Sequence, residues 1–131
     1  MKRSCSLGEL QLAIMRVLWR AGEATVAQVH AALEPERSRA LTTIATMLSK
    51  LERKGAVAHR TDGRQFVYRP LVSEAEVQRS MVAELTDSLF GGDVAALVSH
   101  LLTEQEIERS ELETLRQLIA DNEDELGPEE D

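Results

Sequence analysis

Between Leu41 and Pro70 the hydrophobic period changes once, from that of a helix to that of two short strands, and glycines mark the breaks. On a wheel of about 100° per residue, Ile44, Leu48 and Leu51 fall within about 80° of Leu41, while Thr42, Thr43, Thr46, Lys50 and Arg53 cluster opposite. One stripe requires a core, and the other stays wet and cationic. Gly55 stops the helix, and the runs Ala56 to Arg60 and Phe66 to Tyr68 then flank Asp62-Gly63, a pair suited to the positive φ angles of a type I′ hairpin turn.

Two more helices precede this unit. Ser6-Leu7-Gly8-Glu9 matches a capping box, and Leu7, Leu10, Ile14, Val17 and Leu18 recur on one face until Gly22. Thr25 to Gln28 repeats the signal and opens a short helix with Val26, Val29 and Leu33, which Pro35 terminates. The linker Glu34 to Arg39 mixes Pro35 with Arg37, Ser38 and Arg39 and suits an exposed turn. Three helices and a hairpin within residues 1–70 define a winged helix-turn-helix, mainly α with a small β-hairpin wing.

Residues 71–120 are expected to be helical throughout. Ser73-Glu74-Ala75-Glu76 is another capping box, followed by Val77, Met81, Leu85 and Leu89 at four-residue spacing and the break Gly91-Gly92. Asp93 can cap a segment from Val94 to Leu102 that carries Leu97 and Leu101, and Thr103 to Glu106 is expected to open a last helix with Ile107, Leu112, Leu115, Leu118 and Ile119. About fifty residues in three amphipathic helices cannot enclose a core alone, so their stripes must meet the first unit or a second copy. The second copy is the favoured reading. It makes 71–120 a dimerisation domain, with Val77, Met81, Leu85, Leu89, Leu97, Leu101, Leu112, Leu115 and Ile119 at the contact. Residues 121–131 hold seven acidic residues, no basic ones and a Gly-Pro pair, and are expected to form a disordered tail.

Charge separates the two parts. The chain is acidic overall at −8, yet residues 1–70 carry a net +6 and residues 71–131 a net −14. A polyanion is drawn to the first part and repelled by the second, which orients it as well as attracting it. Threonine hydroxyls and methyls beside Lys50 can reach base edges in a major groove, while Arg39, Arg53, Arg60 and Arg64 are placed for phosphates. Trp19, Tyr68 and the two phenylalanines are too few and scattered for the stacking platform of single-strand binders. Duplex DNA is the better ligand.

Other classes lack their residues. His30, His59 and His100 lie in three different expected elements and Cys5 is the lone cysteine, so the spacing offers no metal site and no disulfide, and a reducing cytoplasm is the expected compartment. There is no glycine-rich phosphate loop and no nucleophile elbow, and the sequence implies neither an enzyme nor a cofactor. No apolar run approaches the roughly 20 residues of a membrane span, and Glu9, Gln11 and Arg16 interrupt any signal-peptide core.

Taken together, the stretches Leu10 to Trp19, Thr42 to Leu51, Lys54 to Val57 and Gly63 to Pro70 resemble the penicillinase-repressor family (BlaI/MecI/CopY). The resemblance covers residues 7 to 120 and is most specific over 10 to 70. It implies a homodimeric winged-helix repressor on a dyad operator, with Thr42, Thr43, Thr46 and Lys50 facing the bases and Arg64 touching the backbone. It also implies release through a membrane sensor protease. The Asn-Phe bond cut in such repressors corresponds, by alignment from Phe90-Gly91-Gly92, to His100-Leu101, a different residue pair. The paired cysteines of the copper-responsive branch are missing, which excludes a copper thiolate switch and leaves the inducer open. Two alternatives stand beside this reading: a winged-helix module used only for protein contacts, and a regulator gated by a small ligand between the two units.

Overall fold

The computed structural model describes residues 7–36 and 38–127, so Cys5, Ser6, Arg37 and the last four residues lie outside the description. Helix α1 spans Glu9–Ala21. Its N-cap is Gly8, two residues after the expected Ser6, and Gln11 reaches back so that its Oε1 accepts the Gly8 N–H at 3.2 Å. Gly22 closes it at φ +85°, donating to Leu18 O at 2.8 Å. A short strand β1, Ala24–Thr25, leads into α2, Val26–Leu33. The Thr25 box forms as expected, with Gln28 N to Thr25 Oγ1 at 3.2 Å and Thr25 N to Gln28 Oε1 at 2.9 Å.

Helix α3 follows at Leu41–Arg53, and strands β2, Val57–Asp62, and β3, Gln65–Pro70, complete the wing. Gly55 ends α3 in a Schellman arrangement: the Ala56 N–H reaches Leu51 O at 2.9 Å and the Gly55 N–H reaches Glu52 O at 3.0 Å. Its φ of +82° explains why glycine stands there. The sheet is antiparallel in the order β1-β3-β2, a third strand that local sequence did not reveal. Asp62 pairs with Gln65, so the tight turn is Gly63-Arg64, one residue later than expected. Only Gly63 has positive φ, at +63°, which corrects the expected type I′ turn to the glycine-first type II′ form.

Ile14, Met15, Leu18, Val29, Ile44, Leu48 and Leu51 are fully enclosed, and Val57 nearly so. Helices α1, α2 and α3 thus share one core beneath the sheet's inner residues Ala24 and Tyr68. Leu41, expected on the inner stripe, is instead 50% exposed in the first turn of α3.

Helix α4, Glu74–Phe90, opens with the expected Ser73 box, Ser73 N to Glu76 Oε1 at 3.2 Å and Glu76 N to Ser73 Oγ at 3.1 Å. Its first turns belong to the winged unit. Val77 is 1% exposed in the same core, Val72 and Met81 pack against it, and Trp19 Nε1 donates to Val72 O at 2.9 Å. The first compact unit runs to Leu89 and the second starts at Phe90, beyond the boundary expected after Pro70.

In the second unit Asp93 caps α5, Val94–Glu104, by accepting the Ala96 N–H at 3.0 Å. Thr103 lies inside α5 rather than starting the last helix, and α6, Arg109–Leu126, has Glu108 as its N-cap. Helix α6 also runs through 121–126, which were expected to be disordered. The Gln117 Nε2 to Asp121 Oδ1 bond at 2.8 Å supports this continuation at helical spacing. No residue of α5 or α6 is buried.

Replacing Val77 by alanine should lower the stability of the winged unit by about 2 kcal/mol, since two methyl groups leave a closed core. Urea unfolding followed by Trp19, the single tryptophan, measures it. An unmoved midpoint would place the start of α4 outside that core.

Candidate nucleic-acid interface

The outward stripe of α3 is dictated by its inward one. With Ile44, Leu48 and Leu51 enclosed, helical spacing leaves Leu41, Thr42, Thr46, Ser49, Lys50 and Arg53 exposed and Thr43 half-buried. The Thr46 hydroxyl donates to Thr42 O at 2.9 Å, so its proton is engaged and it offers a methyl and oxygen lone pairs outward. Such a group accepts from an exocyclic base amine or packs on a thymine methyl.

A histidine positions the approach to α3. The Nε2–H of His30, on α2, donates to Arg39 O at 2.8 Å, and Ala40 then serves as N-cap without a side-chain bond. Arg39 is exposed, its Nη1 3.3 Å from Ser38 O. At the far end Lys54 Nζ donates to Gln11 Oε1 at 2.9 Å, which turns this cation toward α1. Lys54 thus serves the fold at a helix C-terminus, where a positive charge is favoured.

The wing arginines differ. Arg64 sits in the turn itself, exposed and with no ion pair among the described residues. Arg60 bonds Glu23 across 2.8 Å, and both side chains are about half exposed. The hydrogen bond and charge of Arg60 hold the Glu23 carboxyl below its ordinary range, and Glu23 raises Arg60 in return. A phosphate at Arg60 must therefore displace a carboxylate, and one at Arg64 need not.

Sequence reasoning missed the tie between α3 and the wing. Both Glu52 carboxylate oxygens lie within 2.8 Å of His59 Nδ1, and the His59 ring stacks on Phe66 at 4.1 Å. The signal was there in part: Glu52 is an acidic residue near a helix C-terminus, where the macrodipole disfavours it. The structure brings Thr42, Thr43, Thr46, Lys50 and Arg53 onto one helix, with Arg39 just before it and Arg60 and Arg64 on the wing.

The residues expected at a self-contact divide. Val77 is unavailable because it lies in the winged core, and Met81 packs against that core. Leu85, Leu89, Leu101, Leu115 and Ile119 are exposed at 38 to 68%, and Leu97 and Leu112 are half-buried. His100 and Leu101 are exposed within α5, His100 lying edge-on to Phe90 at 5.9 Å. Among the described residues no helix is long and apolar enough to cross a membrane.

Three helices, a short third strand and a two-stranded wing define this unit as a winged helix-turn-helix. The chain belongs to the penicillinase repressor family, whose model matches residues 7–121. It is similar to the transcriptional regulator BlaI of Mycobacterium tuberculosis, at 34% identity over 92% of this chain and 88% of that one. It is also similar to the penicillinase repressor of Bacillus licheniformis, at 25% identity over 93% and 95%. Among solved structures, the DNA binding domain of the repressor BlaI aligns at 33% identity and a TM-score of 0.52, covering 58% of this chain and 93% of that domain.

Tyr68, the single tyrosine, reports on the base of the wing. Burial, and secondarily the Glu52 carboxylate, push its phenol above the ordinary value of 10.0. Phenolate absorbance should therefore titrate above that value in the folded protein and return to it in urea. A raised folded pKa contributes stability below about pH 10 that is lost as pH rises through the folded value. Titration at the same pH with and without urea would contradict the enclosure of Tyr68.

Proposed function

We propose that the chain is a sequence-specific, duplex-DNA-binding transcriptional repressor that acts as a homodimer on a pseudo-palindromic operator. The observation that carries this reading is the outward face of α3. Thr42, Thr46, Lys50 and Arg53 are held exposed on a helix whose other face is sealed, next to a wing with Arg64 at its turn. A helix of that width fits the major groove, and the wing cation suits the flanking backbone. The names of the relatives, repressors and a DNA binding domain among them, support the same activity.

The homodimer is supported by what the second unit leaves uncovered. No residue of α5 or α6 is fully buried, and Leu89, Val94, Leu118 and Ile119 remain 56 to 68% exposed. Apolar surface on this scale calls for a partner, and two copies joined by a two-fold axis present two α3 helices to a dyad site. Paired subunits bind as one bivalent ligand. A signal that loosens the pairing helices then releases the operator, and cutting at His100-Leu101 by a membrane sensor protease is one such signal. The site of action is the cytoplasm, with no cofactor.

Sedimentation equilibrium and fluorescence anisotropy test the two halves. Six phosphate contacts per dimer give a slope of log K on log salt of about −5. Lys50→Ala and Thr46→Ala should each narrow the preference for operator over scrambled duplex by about 1–3 kcal/mol. Arg64→Ala should weaken both duplexes alike and reduce the slope by about 2 for a dimer. Equal losses on both duplexes for all three variants would undo the assignment of roles, and a protein that stays monomeric would undo the dimer.

A further inference from the structure

The duplex-binding surface has two parts, and among the ties between them is a side-chain contact from the last turn of α3 to the wing. Glu52, in the last turn of α3, presents its two carboxylate oxygens to His59 Nδ1 at 2.7 and 2.8 Å. The His59 ring lies on Phe66 at 4.1 Å with 21° between the planes, and 5.5 Å from Tyr68. Phe66 is two residues from Arg64.

The position of this contact in the sheet gives it leverage. Strand β1 supports β3 only at Val67 and Tyr68, so beyond the His59–Tyr68 pair and its neighbour the wing continues as two strands alone. A two-stranded ribbon is marginal in water and twists readily. Its angle to α3 is then set by what grips it at the base. The Arg60–Glu23 pair is exposed on both sides and weak for that reason, whereas the Glu52 and His59 side chains are only 35% and 28% exposed and are joined by bond and stack together. A carboxylate near the negative end of α3 opposes the helix dipole, which is accounted for if its task is to hold His59.

We propose that His59 is a positioning residue for the DNA interface: bonded to Glu52 and stacked on Phe66, it fixes the wing's angle to α3, so that Arg64 reaches phosphate while α3 occupies the groove. The inference rests on the duplex-binding reading above.

A double-mutant cycle on the full chain tests it, with a random-sequence duplex of about 30 base pairs as probe because a phosphate contact is independent of sequence. In the unchanged protein Arg64→Ala should weaken binding by about five- to tenfold. With His59→Phe, which keeps a ring on Phe66 but loses the donor, the same change should cost less than about twofold. Glu52→Ala removes the bond from its other side and should uncouple Arg64 equally, and it decides the matter if His59→Phe fails to fold. Glu52→Gln keeps an acceptor and should retain the full Arg64 effect, separating the bond from the charge. An undiminished Arg64→Ala loss in the His59→Phe and Glu52→Ala proteins overturns the inference. If Arg64→Ala costs nothing in the unchanged protein, the role of the wing in duplex binding has failed, and the inference falls with it.

Discussion

The enclosure of Ile44, Leu48 and Leu51 against α1 and α2 is the constraint from which the rest of the surface follows. Each side chain contributes about 1.5–3 kcal/mol by leaving water, and together they fix the rotation of α3 about its axis. Once that rotation is fixed, the outward positions of Thr42, Thr46 and Lys50 are no longer adjustable. The same burial explains the sharp end of the helix. Leu51 accepts the Ala56 N–H in the Gly55 turn, so the residue that anchors the core also starts the wing.

Electrostatics are arranged around that geometry rather than producing it. Of the cations near the surface, Lys54 is bonded to Gln11 and Arg60 to Glu23, whereas Lys50, Arg53 and Arg64 stand in solvent. Cations with structural partners orient elements, and solvated ones are available to an anion without first losing a bond. A net +6 over the first seventy residues therefore overstates the charge free to meet phosphate.

How much of this was legible in sequence follows from how local each signal is. The Thr25, Ser73 and Asp93 caps depend on residues three apart, and all three form at the expected positions. The family and the winged-helix class were legible as well, because α3, Gly55 and the strand runs are contiguous. Strand β1 was not, since its partner Tyr68 is far along the chain and two residues carry no period. Val77 was misplaced for a related reason. Four-residue spacing marks it as apolar but does not say which of two surfaces receives it, and the choice depends on Trp19 and Val72 meeting across the unit. The end of α6 failed differently, because composition argued for disorder while Gln117 and Asp121 favoured another turn of helix. The tie between His59 and Glu52 left only a partial trace, an acidic residue in the last turn of a helix, and its partner is set only when the hairpin folds back.

The charge of the second part has a consequence for the proposed repressor. Residues 71–131 carry a net −14, so pairing two copies brings like charges together while their exposed leucines favour contact. Salt screens that repulsion over a Debye length of about 8–10 Å and leaves the apolar term almost untouched, so the proposed self-association should strengthen as salt rises. Contact with DNA responds in the opposite sense, because counterion release is worth less in concentrated salt. In the proposed dimer the two contacts would therefore be tuned against each other: dilute salt favours single subunits held firmly on any duplex, and moderate salt favours the paired form that must satisfy two half-sites at once. For the proposed repressor, discrimination between operator and random sequence would then depend on that second regime, where two half-sites are engaged together and non-specific attraction has already faded.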